Sequence, residues 1–82
     1  MPYIKKEDRE KMDLTSLAKE ISTPGELNYV YSVLAQAYVE TKGLSYNTVN
    51  DVMGVFESAK QEFYRRKVAP YEDIKIEENG DI

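Results

Sequence analysis

The residues best equipped for chemistry stand together at Tyr64-Arg65-Arg66-Lys67, inside the stretch EFYRRKVAPYED at 62–73. A guanidinium presents a planar fork of donors that matches phosphate or carboxylate, and a tyrosine ring can stack beside the bound plane. Arg65, Arg66 and Tyr64 are therefore a candidate receptor for a small phosphorylated ligand or an acidic partner segment. A plainer account competes with it. Three cations in the last turn of a helix complement its negative end by about 0.3–1 kcal/mol each. Glu72 and Asp73 also follow closely enough to pair with the arginines and occupy them.

Upstream of this cluster, Asn50, Gly54 and Gln61 fall on the side of a helix opposite a Val/Phe stripe, with Asn47, Asp51 and Ser58. Gly54 in a helix interior costs roughly 1 kcal/mol against Ala, so a compensating contact is expected there. Tight helix–helix packing is the structural explanation and close approach of a ligand or partner the functional one. Asn50 and Gln61 would then be polar support for whatever Arg65 and Arg66 hold.

Catalysis has less to work with. The chain has no His and no Cys, which removes the usual proton shuttle near neutral pH and the thiolate and imidazole metal ligands. Adjacent carboxylates occur at Glu7/Asp8, Glu72/Asp73 and Glu77/Glu78, each in a charged segment where a perturbed pKa is not expected. DIKIEENGD is no calcium loop, because Lys75 stands where that pattern needs an oxygen ligand. Neither a phosphate-binding glycine loop nor a nucleophile elbow is present. The sequence names no catalytic residue, no metal ligand and no cofactor.

The elements that carry these residues read as helices. KEDREKMDLTSLAKEI predicts a first helix over about 6–21, its apolar stripe confined to Met12, Leu14, Leu17, Ala18 and Ile21. Asp13 can recap the chain within it. Pro2-Tyr3-Ile4 before it reads as extended. STPGEL marks a strong start: Ser22 or Thr23 caps, Pro24 takes the first position and Glu26 suits the positive end. The second helix spans about 24–42, with Leu27, Val30, Tyr31, Leu34, Ala37 and Tyr38 on a wide apolar face and Gly43 as its stop. Ser45 caps a third helix over about 46–67, roughly 33 Å long, striped by Val49, Val52, Met53, Phe56, Ala59 and Phe63. A short turn joins the two into an antiparallel hairpin. Pro70 opens a short fourth helix over about 70–77, and residues 78–82 are expected to be a loose tail. The fold class is all-α, a three- or four-helix bundle in one domain spanning 1–82.

Composition narrows the setting. Eighty-two residues without a cysteine leave a thin core, and such chains often gain stability by oligomerising. Seven Tyr, two Phe and no Trp suit wet-edged packing or an interface. The faces of the second and third helices are broader than a monomer needs, so a homo-oligomer, a dimer first, is expected. A net charge of −4 argues against a duplex nucleic-acid surface. The chain has no apolar run of membrane-spanning length, and the charged N-terminus lacks a signal-peptide core; both suggest a cytoplasmic protein.

MPYIKKE at the start, GELNY at 25–29, GLSYNTVNDVMGVFESAKQEFYRR at 43–66 and the APYED, KI and ENGD elements of 69–81 resemble a small family of uncharacterised proteins of bacteria, phages and prophages. The likeness covers most of the chain and is weakest over 12–23. That family has no assigned activity, so the resemblance implies context: stand-alone proteins of mobile elements are often interaction proteins. It also weights Arg65, Arg66 and the Asn50-Asp51-Gly54 stretch toward function. The expectation is a non-enzymatic helical protein that binds a partner protein or a small phosphorylated ligand. The alternatives are a purely structural oligomerisation module and a carboxylate-dependent nucleotide hydrolase.

Overall fold

The computed structural model describes residues 4–82, and every regular element in it is helical. The extended reading of Pro2 and Tyr3 lies outside the described residues. In chain order the elements are α1 (Lys6–Glu10), α2 (Thr15–Glu20), α3 (Pro24–Lys42), α4 (Tyr46–Phe63), a π-helical turn (Tyr64–Val68) and α5 (Ala69–Asn79). The all-α reading holds. Contacts group the chain into two compact units, residues 1–43 and 44–82.

In the first unit, the single helix expected over 6–21 is broken into α1 and α2. The charged half has no apolar partner to hold it in register with the apolar half. Asp13 ends it by accepting a hydrogen bond from the Thr15 amide at 3.3 Å. Short acidic side chains at such positions offer the backbone an alternative to continued helix. The start of α3 is set as its sequence demands. Thr23 Oγ1 accepts from the Glu26 amide at 3.1 Å, while the Glu26 carboxylate accepts from the amides of Ser22 and Thr23. This reciprocal pair satisfies amides that the first helical turn would otherwise orphan. Gly43 closes α3 at φ +92°, a left-handed conformation that side-chain-bearing residues rarely adopt.

In the second unit, Ser45 and Thr48 form the same reciprocal cap on α4. The helix expected to stop near residue 67 does not stop. Its backbone runs through the π turn into α5, and the Ala69 amide reaches back five residues to the Tyr64 carbonyl. Pro70 supplies the physical reason. In an uninterrupted α-helix its ring would strike the carbonyl of Arg66, and it has no N–H to give that carbonyl. Widening one turn relieves the clash while the residues around it keep helical torsions. α5 extends to Asn79, and Gly80 at φ +90° ends it.

No hydrophobic side chain among the described residues is buried; Thr48, in its cap, is the one residue counted so. Val30, Ala35 and Val39 on α3, and Val52 and Val68 in the second unit, are half-buried. Leu27, Tyr31, Leu34 and Tyr38 on α3 are exposed, as are Val49, Met53, Phe56 and Phe63 on α4.

Candidate functional site

The π turn carries the candidate site, because the basic cluster lies on it. Tyr64, Arg65, Arg66 and Lys67 occupy the turn itself, so the cluster is not the terminal turn of a helix as its sequence suggested. The continuing helix supplies the next amides, and a dipole-complementing role at a helix end does not apply to these cations.

One carboxylate organises both arginines. Arg65 Nη2 donates to Glu62 Oε1 at 3.0 Å, and Arg66 Nε donates to the same oxygen. Glu62 lies three and four residues before them, the spacing at which helical side chains meet. It is only 24% exposed, whereas the two guanidinium side chains are 69% and 63% exposed. Exposed pairs of this kind are worth at most about 1 kcal/mol, so Glu62 orients the arginines more than it stabilises the fold. Glu62 is nearer along the chain than Glu72 and Asp73, the partners that the sequence suggested.

Glu72 is engaged elsewhere. Tyr64 donates its hydroxyl to Glu72 Oε1 at 2.7 Å, eight residues along the chain. One α turn of about 3.6 residues and one wider turn together span that separation, so the π turn stacks the two side chains on one face. The hydrogen bond to the Glu72 carboxylate, and its negative charge, push the Tyr64 phenol above its ordinary value of 10.0. Tyr64 is therefore a neutral donor whose hydroxyl is committed to Glu72.

Gln61 is likewise tied, donating to Glu57 Oε1 at 3.0 Å, with Lys60 at 3.4 Å from the other oxygen of that carboxylate. The Gln61 hydrogen bond, then the Lys60 charge, hold the Glu57 carboxyl below its ordinary value. Tyr64, Arg65 and Gln61 line one open hollow of about 720 Å³ with Glu57, Lys60 and Glu62. The structure thus brings three of the predicted site residues together. Arg66 does not line this hollow, and Asn50 and Gly54 lie further up α4. A Cβ added at Gly54 meets no heavy atom within 4 Å, so the tight packing expected around it is not made by the described residues. Asn50 is exposed.

Glu62 and Glu57 are the residues that sequence reasoning passed over. The signal was present: each stands three or four positions before a cation or amide on the same helix. Among the described residues, no group of three or more His, Cys, Asp or Glu side chains is arranged to hold a metal ion. No helix among them is long and apolar enough to cross a membrane. The hollow is zwitterionic, two carboxylates against two cations, and suits recognition of a polar surface better than capture of a bare anion.

The chain belongs to the domain family of unknown function DUF6899, whose model matches residues 1–82. No curated protein and no solved structure matches it.

Proposed function

We propose that this member of the family is a non-enzymatic helical interaction protein that works as a homo-oligomer in the setting of a phage or other mobile element. The observation that carries the reading is the state of its apolar side chains. Leu27, Tyr31, Leu34 and Tyr38 on α3, and Val49, Met53, Phe56 and Phe63 on α4, keep 40% or more of their surface exposed. Ordering each residue costs roughly 1–2 kcal/mol in backbone entropy, and burial of apolar surface is the main term that offsets it. In proteins most helical stability comes from packing of an amphipathic face and not from intrinsic propensity. A chain so helical with its apolar faces uncovered gains the missing burial by association, and a second copy is the partner always present at equal concentration. The exposed tyrosines suit such a seam, since their hydroxyls remain satisfied at its wet edge.

Sedimentation velocity over a dilution series, with circular dichroism on the same samples, tests this. A dimer or larger species at micromolar concentration is expected, dissociating with loss of helicity on dilution. A fully helical monomer throughout would overturn the reading.

A second reading keeps the basic cluster as a contact for an acidic partner, favoured by the exposure of both guanidinium side chains. The nucleotide-hydrolase alternative has no such support: Glu57 and Glu62 are engaged by Gln61, Lys60 and the two arginines, and Glu72 by Tyr64.

A further inference from the structure

The π turn changes which side chains share a face along residues 46–79. Val49, Phe56 and Phe63 recur every seven residues, the spacing that keeps a stripe on one side of a helix. In an uninterrupted helix the next member would be Pro70. The Tyr64–Glu72 hydrogen bond shows that residues eight apart across this turn are stacked instead. Phe63 and Tyr71 are also eight apart and each lies immediately before that pair, so Tyr71 inherits the stripe. Val49, Phe56, Phe63 and Tyr71 thus form one apolar line, and all four are exposed.

Charge is segregated along the same line. From Phe56 to Ala69 stand Lys60, Arg65, Arg66 and Lys67, offset by Glu57 and Glu62. Glu72, Asp73, Glu77, Glu78 and Asp81 follow Ala69, offset by Lys75 alone. A segment basic at one end and acidic at the other is complementary to itself when turned end for end. Parallel pairing would set like charges opposite each other. An isologous two-fold contact satisfies this pattern, since each end meets its opposite in the partner copy.

We propose that the line Phe56–Phe63–Tyr71 is the seam on which a second copy docks antiparallel, its two-fold axis near Val68 and Ala69. The basic half of each copy lies along the acidic half of the other. The contact rests on the self-association proposed above and specifies its face and direction. Tyr64 and Glu72 act in it as positioning residues, because their hydrogen bond spans the wide turn at Pro70 and keeps Tyr71 in line.

A charge exchange between two variants of the full chain tests the direction. Lys60→Glu/Lys67→Glu makes both halves acidic, and Glu77→Lys/Glu78→Lys/Asp81→Lys makes both halves basic; neither set touches Tyr64 or Glu72. Each variant alone is expected to self-associate at least about tenfold more weakly than the parent, and an equimolar mixture to recover to within about threefold. Recovery should shrink as salt is raised toward about 1 M, where the screening length falls to about 3 Å. Circular dichroism of each variant at high concentration checks that helicity survives. A monomeric parent chain would overturn the self-association itself. A self-associating parent whose variants associate as well as it does, or whose mixture fails to recover, would overturn the antiparallel seam alone.

Discussion

Gly54 is the residue at which structure and sequence pull hardest against each other. Glycine inside an exposed helix costs about 1 kcal/mol relative to Ala, and the space beside it is open. Gly54→Ala is therefore expected to raise the thermal midpoint by several degrees, roughly 4–8 °C for a domain of this size, provided no partner reaches that surface. A midpoint that falls, together with weaker association in sedimentation, would show that a partner backbone approaches there. Glu26 makes a prediction about pH. The Ser22 amide, followed by the Ser22 and Thr23 hydroxyls, holds its carboxyl below the ordinary 4.5. Since the folded value is the lower one, the stabilisation is complete above pH 4.5 and is lost as pH falls through the depressed value. Helicity followed by circular dichroism should decline over that window, and less so in Glu26→Gln. The cap itself was legible in STPGEL, because its partners are three residues apart. The Glu62 pairing with both arginines was equally local, three and four residues apart within the helix expected over 46–67.

At the scale of elements, Pro70 decides the most. Its first-turn placement in a new helix was readable from sequence, but the fate of the preceding helix was not. A proline can end a helix, kink it or widen one turn, and the choice depends on which arrangement lets the flanking side chains bond. Here Tyr64 and Glu72 bond across the widened turn. Pro70→Ala restores the missing amide and is expected to let the turn relax to ordinary α geometry, with helical content preserved. The Tyr64 to Glu72 hydrogen bond would then be lost. Ultraviolet titration of tyrosinate reads this directly: the raised Tyr64 ionisation should return toward 10.0. The sign of the linkage follows. A phenol whose folded value is raised stabilises the fold below pH 10.0, and that contribution disappears as pH climbs through the raised value. An unchanged titration in Pro70→Ala would mean that the hydrogen bond, and not the proline, holds the turn. The break between α1 and α2 has the same logic in miniature, with Asp13 drawing the Thr15 amide away from continued helix.

For the molecule as a whole, the pattern of apolar faces on two long helices was visible in the spacing of Leu, Val, Tyr and Phe, and the all-α fold followed from it. If association supplies the burial, the midpoint of thermal unfolding should rise with protein concentration, as mass action requires of any folded state that binds its own copy. A midpoint independent of concentration would count against it. By itself the sequence determined the helix starts at Thr23 and Ser45, the stop at Gly43, and the polarity of each helical face. All of these rest on torsional preference and on hydrogen bonds between residues three or four apart. The three-dimensional structure alone decided that the chain stays helical through Tyr64-Arg65-Arg66-Lys67, that Tyr64 reaches Glu72, and that Tyr71 lines up with Phe63. Those outcomes turn on one added residue in one helical turn, a difference set by the balance between a proline clash and a hydrogen bond spanning eight residues.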